Sequence, residues 1–337
     1  MLNAFLFSFN AIMPMILLMT LGYYLRSKGF FSASVLKEMN HFAFYYCIPS
    51  LMFTNVYVLD GLQDIPIKLM AFVLISLVLL TLSGLFIALY STNKSSQRGV
   101  LVQMSFRSNY AIVGAAMAAS LGGTAGEAIS ATLQAPSILY FNIVAVLFLT
   151  IFSEDNARKI NIPNICRSII TNPLILAQIF AIACLAIRGI LPLNTAGKPI
   201  FTIANNVPWF FSFIKSLAKI SSPFVFVLLG AQVRFSSVKN MKKLLTLGNL
   251  LRLILAPFLG FISYYLATHF NFLTASPAIV SALLALYGSP SPAVAAVMAE
   301  EMNCDGELAR QCVIWSTVFS MLTLMLWAIF FRMINWL

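Results

Sequence analysis

From Leu69 to Tyr90 the chain carries no charged side chain, and this run constrains the fold more than any other feature. At about 1.5 Å of rise per residue, roughly 20 apolar residues in a helix cross the ~30 Å hydrocarbon core of a bilayer. A helix that is apolar on every face belongs in lipid or at the centre of a large protein. Comparable stretches, separated by charged or turn-rich breaks, give ten candidate spans at roughly 5–25, 40–58, 66–90, 99–121, 125–152, 168–190, 207–230, 244–268, 276–299 and 308–332. The chain is 60% hydrophobic and only 9% charged, against about a quarter charged in soluble domains. A membrane barrel would show alternating segments of about ten residues instead of continuous runs. The expected fold is an all-α integral membrane protein in a lipid bilayer. No basic segment precedes the first span, and Arg26 and Lys28 follow it without a small-residue cleavage pattern. It is therefore read as a retained helix, not a signal peptide.

Basic residues are retained on the cytoplasmic side of short loops. With the N-terminus outside, inner loops hold Arg26, Lys28, Lys37, Lys94, Arg98, Arg158, Lys159, Arg167, Arg234, Lys239, Lys242, Lys243 and Arg310, whereas the outer ends hold Lys68, Arg188, Lys198 and Arg332. Both termini are expected outside a plasma or inner membrane. The net charge of +11 then reflects topology and attraction to anionic head groups, and no nucleic-acid partner is expected of a chain with so little polar domain.

Ten spans divide five and five about the polar linker Ser153 to Arg167, giving repeats 1–155 and 156–337. An odd number per half makes the second repeat enter the membrane from the opposite side, so an inverted repeat is expected. Pro49 in span 2 then corresponds to Pro223 in span 7, and spans 4 and 9 each carry an interruption: Arg107-Ser108-Asn109-Tyr110 and Gly288-Ser289-Pro290-Ser291-Pro292. Matched broken helices in two halves point to a transporter's midplane binding site. Proline lacks an amide donor and clashes with the preceding turn, and Ser291 before Pro292 reads as an N-cap followed by proline at the first helical position. Ser108 or Asn109 can similarly cap a half-helix beginning near Tyr110. Two positive helix ends would converge at mid-membrane, where an anion is the natural ligand.

Candidate substrate-binding residues are therefore Arg107, Ser108, Asn109, Tyr110, Ser289, Pro290, Ser291 and Pro292, with Lys219 as a second cation. Arg107 either faces a cavity or snorkels to the interface, because an unpaired intramembrane arginine costs roughly 2.5 kcal/mol or more. Lys219 shares a helix face with Lys215, which is expected at the head groups. Arg252, near Lys242 and Lys243, is expected to snorkel and to have no site role. Every acidic residue falls in a loop or at a span end, which argues against a mid-membrane proton or sodium relay; Glu300 and Glu301 are read as solvated interface residues. His41 and His269 lack partners at metal or triad spacing, and the five cysteines form no CxxC pair. Neither catalysis nor a cofactor or metal is expected.

Six segments carry a family resemblance: MILLMTLGYYLRSKGF from Met15, FAFYYCIPSLMF from Phe42, RSNYAIVG from Arg107, SSPFVFVLLGAQV from Ser221, RLILAP from Arg252, and AEEMNCDGELARQCVIWSTVFSMLTLMLW from Ala299. In that order, and over essentially the whole chain, they resemble the auxin efflux carrier family. The short central linker makes the chain similar to microbial members. The resemblance implies ten helices in two inverted five-helix repeats related to the bile acid transporter fold, with broken helices 4 and 9 crossing. It also implies a scaffold of spans 1, 2, 6 and 7 beside a mobile bundle of spans 3–5 and 8–10, and a possible homodimer through the scaffold. It further implies transport of organic anions and assigns substrate contact to Asn109, Pro290 and Pro292. It does not extend to Arg107, and the coupling ion stays open. The function expected is alternating-access transport of small carboxylates, with an anion channel or an intramembrane transferase as alternatives.

Overall fold

The computed structural model describes residues 2–57, 67–110, 115–156, 171–192, 199–233 and 235–337. These are almost entirely helical, with no sheet among them. Arg158, Lys159, Arg167, Lys198 and Arg234, with most of the central linker, lie outside the described residues.

Helix α1 (Leu2–Ser27) is followed by α2 (Ala33–Phe42), which Ser32 caps by accepting the Val35 N–H. Through a π-helical turn at Ala43–Cys47, α2 continues into α3 (Ile48–Tyr57). Next come α4 (Ile67–Ser91), α5 (Ser95–Phe106) and α6 (Ala115–Ile151). Helix α6 kinks at Gly123, whose positive φ of 63° suits a residue without a Cβ. In the second half, α7 (Pro173–Ile190) begins with the Asn172 side chain accepting the Leu174 N–H, and a short α8 (Ile203–Asn206) precedes α9 (Pro208–Ala231). Helix α10 (Phe235–Leu250) continues through a second π turn, Leu251–Leu255, into α11 (Ala256–His269). The chain closes with α12 (Pro277–Gly288), α13 (Val294–Glu301) and α14 (Gly306–Met333). Among the described residues six helical stretches are long and apolar enough to cross a membrane: Ile67–Ser91, Met117–Ile151, Pro173–Ile190, Pro208–Ala231, Val238–His269 and Gly306–Met333.

Both π turns have the same cause. Each ends two residues before a proline, Pro49 and Pro257, whose ring crowds the carbonyl four residues back and offers it no donor. At Pro257 that carbonyl belongs to Leu253, and the Trp327 indole N–H donates to it at 3.1 Å. Helix α1 lies against α9 at backbone distance: a side chain at Gly22 would collide with the Val227 carbonyl, and one at Gly230 with that of Met19.

A large boundary correction is at the eighth predicted span. Its helix begins at Phe235 rather than near residue 244, because lysines at positions 239, 242 and 243 are good helix formers even where they are poor lipid formers.

Candidate functional site

Helix α5 ends at Phe106, and Arg107 leaves it in extended conformation (φ −81°, ψ 117°). Helix α12 ends at Gly288, and Ser289 is likewise extended (φ −61°, ψ 147°). The two first halves are each 12 residues long. The Asn109 N–H donates to the Pro290 carbonyl at 2.7 Å, so the two breaks meet through their backbones. Residues 111–114 of the first break lie outside the described residues.

Beside this meeting point is a cavity of about 140 Å³. Leu51, Met52 and Asn55 of α3 line it, as do Arg107, Ser108 and Asn109 of the first break and Ile138, Phe141 and Asn142 of α6. Ser222 and Phe226 of α9 and the stretch Pro292–Val294 complete it. Ala293 and Val294 stand at the start of α13, which no side chain caps. The Arg107 side chain is buried, at 3% exposure. Its Nη2 donates to Asn142 Oδ1 at 2.8 Å and its Nη1 to Met298 Sδ at 2.9 Å. Both partners are neutral, and no described carboxylate pairs with it; the ion pairs among described residues involve Arg310 and His41. Arginine stays charged in proteins. A guanidinium at a cavity wall with only neutral partners presents an uncompensated positive charge.

A sequence profile described as membrane transport protein matches residues 7–328. The chain belongs to that family. It is the family whose motifs the sequence resembles, the auxin efflux carriers. A relative from Methanothermobacter thermautotrophicus (strain Delta H), described as an uncharacterized transporter, is 25% identical over 331 residues, covering 96% of this chain and 99% of the relative. Both findings point to membrane transport rather than catalysis.

The structure brings together some of the predicted site residues and separates others. Arg107, Ser108, Asn109 and Pro292 line the cavity, and Arg107 does not snorkel. Tyr110 is buried away from it, donating to the Ser130 carbonyl at 3.0 Å. Ser289, Pro290 and Ser291 are not on the cavity wall: Ser289 Oγ donates back to the Ala285 carbonyl, and the Ser291 N–H donates to Ser316 Oγ at 3.3 Å. Ser291 is not an N-cap, since α13 begins only at Val294 and the Ser291 hydroxyl has no partner among the described residues. Lys219 is exposed on α9, as is Lys215, and is not part of the cavity. One helical turn decides this: Ser222 and Phe226, which do reach the cavity, lie three and seven residues beyond Lys219, but the i, i+3 neighbourhood is too coarse to fix which side chain points inward.

The sequence reading missed Asn55, Asn142 and Ser222. A polar amide within an apolar span is the signal that would have found the two asparagines. Arg252 was read as a snorkelling residue; it is fully buried, at 0% exposure. Set in the second π turn, it donates through Nη2 to the Tyr287 carbonyl at the end of α12, while Nε and Nη1 have no partner among the described residues. The Tyr287 hydroxyl shares a short hydrogen bond with Ser76 Oγ of α4. Arg252 thus meets the negative end of the half-helix that leads into the second break.

At the far end of α13 a polar network ties several helices together. Arg310 of α14 donates to Glu300 at 2.7 Å, Glu307 at 2.9 Å and Gln232 at 3.0 Å. Asn40 of α2 also donates to Glu300, at 2.6 Å, and His41 Nδ1 lies 3.3 Å from Glu301. Glu300 and Glu301 are therefore bonded across helices, not simply solvated. In the adjoining turn, Cys304 donates to the Leu149 carbonyl at 3.4 Å. Burial, with Asp305 and Glu154 nearby, pushes its thiol up to about 12, so it stays neutral at physiological pH.

Proposed function

We propose that this protein is a secondary carrier for small organic anions of the carboxylate type, working by alternating access around the cavity between the two breaks. The observation that carries the reading is Arg107: a buried guanidinium on the cavity wall whose partners are all neutral. A carboxylate would complete its charge and accept two parallel N–H bonds. Asn109, Asn55 and Asn142 supply amides to orient the ligand, and the uncapped start of α13 adds a favourable dipole. The cavity suits a small ligand; the apolar Leu51, Ile138, Phe141 and Phe226 suit a short hydrocarbon body.

In this reading the chain forms ten spans in two inverted repeats, residues 1–155 and 156–337, a reading supported by the 12-residue half-helix before each break. Both termini are assigned outside from the distribution of basic residues. In that arrangement α1 and α9, locked together through Gly22 and Gly230, belong to a scaffold with α2, α3 and α7. The helices carrying the breaks move against it. The Asn40 bond to Glu300 and the Arg310 bond to Gln232 would then span scaffold and moving bundle and act as a latch between them.

Uptake of labelled malate, malonate and indole acetate into proteoliposomes tests the assignment. Wild-type protein is expected to accumulate at least one of these by saturable transport with counterflow. Arg107→Ala is expected to abolish that transport while leaving the protein monodisperse. Channel-like currents without counterflow, or an Arg107→Ala variant with wild-type rates, would remove the reading.

A further inference from the structure

A second cavity lies on the outer surface of the helix bundle, between α10 with the second π turn and α14. Its volume is about 430 Å³, within the range of small-molecule sites. Along one wall run Lys242, Asn249, Leu253 and Ile254, and along the other Trp315, Phe319, Leu322 and Thr323. Leu250, Ile254, Phe319 and Leu322 are each about half exposed, so the groove is open along its length to whatever surrounds the bundle.

Three observations say what fills it. From Lys242 to Ile254 the groove runs twelve residues, ~18 Å at helical rise, which is close to half of a ~30 Å hydrocarbon core. It is one leaflet deep. Its two ends differ in kind: Lys242, with exposed Lys239 and Lys243 within one turn, stands at one end, and Leu253, Ile254, Phe319 and Leu322 at the other. Between them, Asn249 Oδ1 and Trp315 Nε1 are buried polar atoms without a hydrogen-bond partner among the described residues, and Thr323 Oγ1 is another at the apolar end. An orphaned buried donor or acceptor in an apolar setting costs free energy and calls for a partner.

We infer that this groove is a binding site for one anionic phospholipid from the leaflet bordering the Lys242 end. The lysine cluster meets the phosphate and an acidic head group. One acyl chain lies along Leu253, Ile254, Phe319 and Leu322. The glycerol and ester region sits at the depth of Asn249 and Trp315. None of these residues lines the cavity at the two breaks, so the site is independent of the substrate reading.

Native mass spectrometry of the full-length protein, extracted from vesicles of phosphatidylglycerol and phosphatidylcholine with identical chains, tests it. The expected result is retention of one phosphatidylglycerol in preference to phosphatidylcholine. Each lysine is worth about fivefold in that preference, so Lys242→Ala with Lys243→Ala should lower it by about an order of magnitude or more. Leu322→Trp, which fills the apolar end, should lose bound lipid of either kind, and size-exclusion elution checks that each variant is folded. With Trp315 as the sole tryptophan, chain-brominated phosphatidylglycerol should quench its fluorescence at lower mole fraction than brominated phosphatidylcholine. Equal retention of both lipids by the wild type, or unchanged preference in the lysine variants, overturns the proposal. So does a protein dimer that Leu322→Trp dissociates, which would assign the groove to a second copy of the chain.

Discussion

Arg107 and Arg252 are both buried to within a few per cent of complete exclusion, and neither has a carboxylate partner among the described residues. Their surroundings separate them. Arg107 stands on a cavity wall and bonds to a side-chain amide and a thioether; Arg252 is enclosed in packed helix and bonds to a backbone carbonyl at a helix end. The same charged group thus faces a cavity in one place and in the other caps a helix end through Nη2, its Nε and Nη1 remaining without a partner among the described residues. Burial alone does not make an intramembrane arginine a binding residue; what it faces does.

The sharpest way to break this contrast is substitution at both positions. Arg107→Ala should abolish anion uptake, with the melting temperature of the unliganded protein lowered little. Arg107→Lys should retain a fraction, because a lysine keeps the charge but not the fork. Arg252→Leu should behave oppositely: it leaves the Tyr287 carbonyl unsatisfied, at a cost of about 1–3 kcal/mol, and lowers the melting temperature more than it alters substrate preference. If the two positions exchange these phenotypes, the contrast is wrong.

A smaller effect is expected at the amides. Asn142→Leu removes one of the two neutral partners of Arg107 and should weaken apparent affinity by roughly tenfold, in line with about 1.5 kcal/mol for a hydrogen bond to a charged group; competition uptake at a series of malonate concentrations reads it. If access alternates as proposed, Glu300→Gln with Arg310→Gln should open the protein on the side of the Arg310 network, read as faster maleimide labelling of Ser222→Cys. Unchanged labelling would mean that the network only stabilises the fold. The smallest change is expected from Trp327→Phe, which deprives the Leu253 carbonyl of its donor beside Pro257 and should cost about 1 kcal/mol of stability, with transport intact.

Much of the molecule was legible in the sequence because membrane helices advertise themselves by length and apolarity. The two breaks were visible through Pro290, Pro292 and the polar run from Arg107, and both are breaks in the structure. Less legible was which side chains of a break face the cavity. Ser289 and Ser291 turn to Ala285 and Ser316, a choice made by tertiary packing over distances that no local pattern encodes. Lys219, exposed and off the cavity wall, makes the same point, since placing a residue at midplane says nothing of its bearing around the helix axis. The π turns at Ala43–Cys47 and Leu251–Leu255 were hidden, although the prolines that cause them were in plain view; a proline announces a distortion without saying which one will absorb it.

The bond from the Asn109 N–H to the Pro290 carbonyl joins two segments almost two hundred positions apart through main-chain atoms. Because it needs no side chain, it survives ordinary substitution at either end and acts as a rivet between the two extended segments. On the alternating-access proposal, rocking of this bundle would carry both segments together, so that a ligand held between them would travel with the pair instead of being passed from one half to the other.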